Sequence, residues 1–264
     1  MNIMQQKLPF ILVALFFISS MFLGSTQRAG AAGASFVRWK INLDLSKSVP
    51  TVVLTVQKWT KLAGGKHNLD DEKIFELSCQ TVGDPKFVDG EIVFDGSSYV
   101  ACALPSIKTI AWTNWNMAIS DSCSAKRPYI AGSANLESSP IALSPVNPIF
   151  YRDDIQFNLP LDVNSQQATL DASFGNVSAA SAQFAISPSG HVYSAEFVGS
   201  GNIFNPSFSL DGSPISAAPA VINQSAIVSN LASTIYFGYS PQSGEYLQGT
   251  LGPTEIDPVC PTTG

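Results

Sequence analysis

Apolar and polar residues alternate from Val37 to Leu45. Val37, Trp39, Ile41, Leu43 and Leu45 fall on one side, and Arg38, Lys40, Asn42 and Asp44 on the other. A period of two marks a strand with one buried face, so this segment predicts a half-buried β-strand. After Pro50, the β-branched run Thr51 to Val56 predicts a second. Gly64-Gly65-Lys66-His67-Asn68 reads as a turn-rich connection, and the charged stretch Leu69 to Lys73 has room for one helical turn.

Short strands are then predicted at Ile74 to Val82, Glu91 to Phe94, Tyr99 to Leu104 and Ile107 to Thr113. Asp84-Pro85, Asp89-Gly90 and Asp95-Gly96 punctuate them. Further along, Ile149 to Leu159, Ala168 to Phe174, Gln183 to Ile186, His191 to Val198 and Ile203 to Leu210 have the same character. So do Ala220 to Val228, Thr234 to Tyr239 and Tyr246 to Leu251. No long stretch holds a helical period, and no internal repeat is visible. The prediction is an all-β chain of about a dozen strands, an antiparallel two-sheet β-sandwich of jelly-roll or Ig-like type. Residues 32–264 are read as one domain. The alternative is a subdivision near 139–148, in the proline-rich stretch Glu137 to Pro148.

The first residues follow a different pattern. Lys7 precedes an apolar run from Leu8 to Ile18 that continues through Met21-Phe22-Leu23, and Ala29-Gly30-Ala31 fits a small-x-small cleavage rule. Residues 1–31 therefore read as a signal peptide for secretion or the cell surface. The rival is a retained anchor, which Ser19, Ser20 and Gly24 disfavour. Cleavage leaves no membrane attachment. Export allows Cys79, Cys102, Cys123 and Cys260 to pair. Proximity favours Cys79–Cys102, leaving Cys123 for Cys260.

Charge narrows the function. Charged residues are 13% of the chain and the net charge is −6. From Ala131 onward Arg152 is the sole basic residue, so that half offers no cation cluster for nucleic acid.

Catalytic signatures are missing. His67 and His191 lie in no HExxH pattern, no GxSxG is present, and Gly64-Gly65-Lys66 is not a phosphate loop. Asp153, Asp154, Asp171 and Glu196 are the carboxylates a glycosidase could draw on, but read as ordinary surface acids. The expectation is a non-enzyme without a cofactor, with calcium in the sandwich loops left open. Asn176-Val177-Ser178 and Asn223-Gln224-Ser225 are glycosylation sequons.

Two function classes remain. One is a structural or adhesive protein, a fibre, matrix or surface-layer subunit whose partners are other protein subunits. The strand carrying Val37, Trp39, Ile41, Leu43 and Leu45 would join a neighbour's sheet, giving a homo-oligomer or polymer. The other is a carbohydrate-binding or carbohydrate-active module acting on surface glycans. There Trp112 and Trp115, with Asn114 between them, would stack on a sugar. In a strand, residues three apart face opposite sides, so a shared platform requires a turn between them.

Overall fold

The computed structural model describes residues 33–119, 122–125, 127–136, 146–162, 164–185, 190–200, 203–217, 222–223, 226–229 and 232–258. Residues 1–31, the predicted export signal, lie outside them, as do Cys260 and residues 137–145.

The chain opens with a three-stranded antiparallel meander, β1 (Ser35–Asp44), β2 (Thr51–Lys61) and β3 (His67–Ser78). It continues through β4 (Gln80–Val82), β5 (Lys86–Val88), β6 (Glu91–Asp95) and β7 (Tyr99–Ala103). Helix α1 (Ile107–Trp115) follows, then β8 (Ser122–Ala125) and β9 (Tyr129–Leu136). Next come β10 (Pro148–Arg152), β11 (Ile155–Asn158), β12 (Leu161–Asp162), β13 (Gln167–Ala168), β14 (Asp171–Phe174), β15 (Val177–Ala180) and β16 (Phe184–Ala185). The rest forms β17 (His191–Ser200), β18 (Ile203–Leu210), β19 (Ser213–Ile215), β20 (Ile222–Asn223) and β21 (Ala226–Ser229). It closes with β22 (Thr234–Phe237), β23 (Tyr239–Ser240), β24 (Glu245–Tyr246) and β25 (Gln248–Asp257).

Two antiparallel sheets dominate. The eleven-stranded sheet runs β19-β18-β17-β9-β25-β1-β2-β3, with β20 on β18 and β6 joining β5 to β25. The seven-stranded sheet runs β15-β14-β11-β10-β22-β7-β4. Strands from both sides of the proline-rich stretch interleave: β25 lies between β9 and β1, and β22 between β10 and β7.

The alternating pattern sets which face is buried. Val37, Trp39, Ile41 and Leu43 of β1 pair with Lys58, Val56, Leu54 and Val52 of β2, and all but Lys58 are buried. From the smaller sheet, Phe150, Phe157, Phe174, Ile235 and Phe237 turn the same way and are fully buried. The two inner faces meet. Phe174 of one packs edge-on against Phe197 of the other at 5.6 Å, and the Arg152 guanidinium lies 5.3 Å from the Trp39 ring. The protein is a disulfide-stabilised β-sandwich. Gly238, at φ 76°, is required where it sits, because a Cβ there would meet the Phe94 ring at 2.8 Å.

The Cys79–Cys102 disulfide forms as proximity suggested. Cys79 is the residue at which the chain leaves β3 for the other sheet, so the predicted single strand Ile74 to Val82 is in fact two. The proposed Cys123–Cys260 pairing depends on Cys260, which lies outside the described residues.

Three other expectations are corrected. Leu69 to Lys73 is strand, because β3 follows β2 residue by residue with one irregularity at Lys58/Trp59. Ile107 to Thr113 is helix: the Ser106 hydroxyl accepts from the Thr109 amide at 3.3 Å, and Asn116, at φ 52°, closes the C-terminal end. Its buried residues Ile107, Ile110 and Ala111 follow helical spacing, which the β-branched composition masked. The short strands also number well above a dozen, since several are two-residue ladders.

The proposed assembly strand is interior. β2 pairs with all of β1, while β25 pairs at Ile41 and Asn42. Val37, Trp39, Ile41 and Leu43 are buried, and Leu45 packs partly against the same core.

Candidate functional site

The helix changes the geometry expected of Trp112, Asn114 and Trp115. Residues three apart on a helix are neighbours, yet these two tryptophans divide their roles. Trp112 is 57% exposed. Trp115 packs partly against the core, and its Nε1 donates to Asp71 Oδ2 at 2.7 Å. Asn114 Nδ2 donates back to the Ile110 carbonyl at 2.9 Å. The three residues do not form one platform.

The predicted acids are dispersed as well. Glu196 accepts from Arg127 at 2.7 Å. Asp153 accepts from the Tyr151 hydroxyl at 3.4 Å. Asp154 is drawn to Arg152 Nε at 3.0 Å and takes the Ser229 amide on its other oxygen. Burial pushes the Asp154 carboxyl up and the Arg152 guanidinium down, with their mutual attraction opposing both. His191 Nδ1 lies 2.7 Å from Asp211, and His67 packs edge-on against Phe36. The Asn176 sequon is exposed at the β14–β15 turn. No group of three or more His, Cys, Asp or Glu among the described residues is placed to hold a metal ion.

A different surface gathers chemistry: the outer face of the seven-stranded sheet. Because Ile155, Phe157, Phe174, Ile235 and Phe237 point into the core, their alternate neighbours point out. The register lines these neighbours up across the strands. Ser178 lies opposite Ser173, Ser173 opposite Gln156, and Gln156 opposite Tyr151. Tyr151 lies opposite Tyr236, and Tyr236 opposite Ala101. The next row pairs Asn158 with Asp171, and Asp171 with Ala180.

One end of this face is aromatic. Tyr239 lies 4.6 Å from both Tyr99 and Tyr246, and Tyr236 closes in at 5.9 Å from Tyr239. Tyr151 joins at 6.2 Å from Tyr236. Tyr151 is buried, whereas the other four are half-exposed. Burial pushes the phenols of Tyr151 and Tyr239 up, keeping them hydrogen-bond donors across physiological pH.

The other end is a polar depression of about 360 Å³ lined by Gln156, Asn158, Asp171, Ser173, Ser178 and Ala180. Small side chains on β14 and β15 leave the space. Gln156 Nε2 donates to Gln242 Oε1 at 2.9 Å, which ties the depression to the turn joining β23 and β24. Asn158 Oδ1 is buried without a hydrogen-bond partner among the described residues. Burial pushes the Asp171 carboxyl up, against a hydrogen bond from Thr169. The arrangement offers amides, hydroxyls, phenols and one carboxylate to a ligand rich in hydroxyl groups.

Sequence reasoning named only Asp171 of these residues. The tyrosines carried a signal in the period of two: Tyr236 sits between Ile235 and Phe237, so an inward pair forces it outward. What the pattern omits is that strands so far apart in sequence stand side by side.

No protein-family model and no curated protein sequence matches this chain. Among solved structures, domain 4 of AbnA, a GH43 extracellular arabinanase from Geobacillus stearothermophilus in complex with arabinotriose, is 12% identical with a TM-score of 0.42. That match covers 70% of this chain and 84% of the other. Domains LG4-5 of the mouse laminin alpha1 chain are 10% identical with a TM-score of 0.38, covering 90% and 89%. The carbohydrate-binding module CBM66 from Bacillus subtilis is 10% identical with a TM-score of 0.30, covering 70% and 94%. Likenesses this distant carry no argument about ligand or activity.

Proposed function

We propose that this protein is an exported, single-domain adhesive module that binds glycan on the outer face of its seven-stranded sheet, without catalysing a reaction. The observation that supports it is the cross-strand row from Ser178 through Gln156 to Tyr236, which joins a polar depression to a cluster of tyrosines. Sugars present hydroxyls to amide and hydroxyl side chains, and C–H faces to aromatic rings. The row supplies both kinds of partner on strands of a packed sheet, where little side-chain freedom is lost on binding.

One carboxylate, Asp171, lines the depression. Glycoside hydrolysis in its usual forms uses two carboxylates about 5–9.5 Å apart. The next acid along the chain, Asp162, sits four residues beyond Asn158, the register partner of Asp171, roughly 13 Å away in an extended strand, a spacing that suits binding and not cleavage. The disulfide fits an oxidising compartment.

The test is binding of the mature protein to a glycan panel, followed by titration calorimetry on the best ligand. Tyr246→Ala is expected to weaken binding several-fold, in line with about 1 kcal/mol for an aromatic contact. Trp112→Ala, on the helix, is expected to leave it unchanged. Binding to no glycan, or loss on Trp112→Ala alone, would overturn the proposal.

A further inference from the structure

The depression at Asp171 does not stand alone. A second one of about 230 Å³ is lined by Pro160, Leu161, Asp162, Gln167, Thr169 and Gln183. The two share their chain segments. Gln156 and Asn158 line the first and residues 160–162 the second on one arm of a hairpin; residues 171–173 line the first and 167–169 the second on the other arm. The Thr169 amide donates to the Pro160 carbonyl at 3.0 Å, holding the arms together at the junction. Thr169 Oγ1 also donates to Asp171 Oδ1 at 3.4 Å, so these two side chains lie on the same side. A side chain lining one depression thus touches a side chain lining the other. From residue 156 to 162 an extended chain spans up to about 20 Å.

The lining is polar and carries no positive charge. Neither depression contains Lys, Arg or His, whereas Asp171 lines one and Asp162 the other. Arg152, the only basic residue after Ile130, has a side chain just 3% exposed and lies in the core. Anionic sugars need a cation or a row of amide donors to replace the water they lose. Here the amides of Gln156, Asn158, Gln167 and Gln183 stand beside two carboxylates with no cation to offset them, so an anionic chain would meet repulsion along with its hydrogen bonds.

We propose that the two depressions form one trough for a linear saccharide chain without carboxylate or sulfate groups, laid along the paired arms 156–162 and 167–173, with Asp171 near its middle excluding anionic chains. The inference rests on the glycan-binding reading and adds the shape and charge of the ligand.

The experiment titrates the mature protein with three series of one to six sugar units: neutral gluco-oligosaccharides, chitosan oligosaccharides and oligouronates. Affinity for a non-anionic series is expected to climb with length through at least three units and then level. Oligouronates are expected to bind at least tenfold more weakly at equal length. Asp171→Asn is expected to narrow that gap several-fold, with folding checked by circular dichroism. Gln167→Ala is expected to weaken the longer oligomers and spare the shortest. Full affinity at a single sugar unit, equal or tighter oligouronate binding, or a Gln167→Ala loss at every length would overturn the trough while leaving glycan binding intact. Absence of binding in all three series, together with a silent glycan panel, would remove the function itself.

Discussion

Arg152 carries its charge into the space between the sheets. Its Nη2 donates to the Ser229 carbonyl at 2.5 Å, its Nε faces Asp154, and its guanidinium lies near the Trp39 ring. A buried ion pair adds little over a well-packed apolar pair, but removing one partner strands the other in a low-dielectric site. Asp154→Ala is therefore expected to cost about 3–5 kcal/mol in urea denaturation. The double variant Arg152→Met/Asp154→Leu should lose less than Asp154→Ala does. Asp171 has the opposite character, since no charged partner is opposed to its burial. Its raised folded pKa means its contribution to stability is full below the unfolded value of about 3.9 and is lost as pH rises through the folded pKa. Asp171→Asn should accordingly raise Tm at pH 7, and the gain should shrink towards pH 3. Asp44, Asp95 and Asp162 are held low by hydrogen bonds from neighbouring serine or asparagine, so they lose their contribution as pH falls. A Tm difference for Asp171→Asn that grows in acid would refute its assigned burial penalty.

Helix α1 shows how element type is decided by caps when composition is ambiguous. Ile107, Thr109 and Ile110 suit a strand, but Ser106 and Asn116 supply both helix ends. Ser106→Ala should cost about 1 kcal/mol. The disulfide acts on the crossover between sheets. Cys79 and Cys102 are 23 residues apart, and a loop of that size is worth roughly 3 kcal/mol in the chain-entropy model. Cys79→Ser/Cys102→Ser should lose about that much in urea titrations. Strand β1 was legible almost in full: its span, alternation and buried set all follow from the period of two. Its neighbours were not. That β25 pairs beside it depends on contacts more than two hundred residues away, such as Arg38 to Asp257 at 2.6 Å. Deleting residues 35–45 removes Val37, Trp39, Ile41 and Leu43, worth about 6–12 kcal/mol of burial, so the truncated chain should show no cooperative unfolding transition.

At the scale of the molecule, the larger sheet ends in β3, an edge strand of twelve residues. Ile74 is 61% and Leu69 42% exposed there, yet Asp70, Asp71, Glu72, Lys73 and Glu76 flank them. Charges along an edge oppose pairing with another chain. With β1 held inside the sheet, the protein lacking residues 1–31 should sediment as a monomer, and neutralising Glu72 and Glu76 should promote association. A stable polymer of the wild-type chain would contradict this. The uneven charge of the sequence also acquires a position. The polar trough is built by the half that has one basic residue, and that residue is buried.

Alternation along the chain was enough to determine an all-β protein, the strand at Val37 to Leu45, and the identity of many buried side chains. These are local properties, set by a pleat that sends successive side chains to opposite faces. The sequence also pointed to the Cys79–Cys102 disulfide, because short loops close more readily. Only the tertiary structure decided that Tyr99, Tyr151, Tyr236, Tyr239 and Tyr246 meet, that a polar depression lies on the same sheet face, and that Trp112 and Trp115 part company. Such juxtapositions depend on strand order, and strand order is set by non-local pairing free energies that no window of neighbouring residues contains.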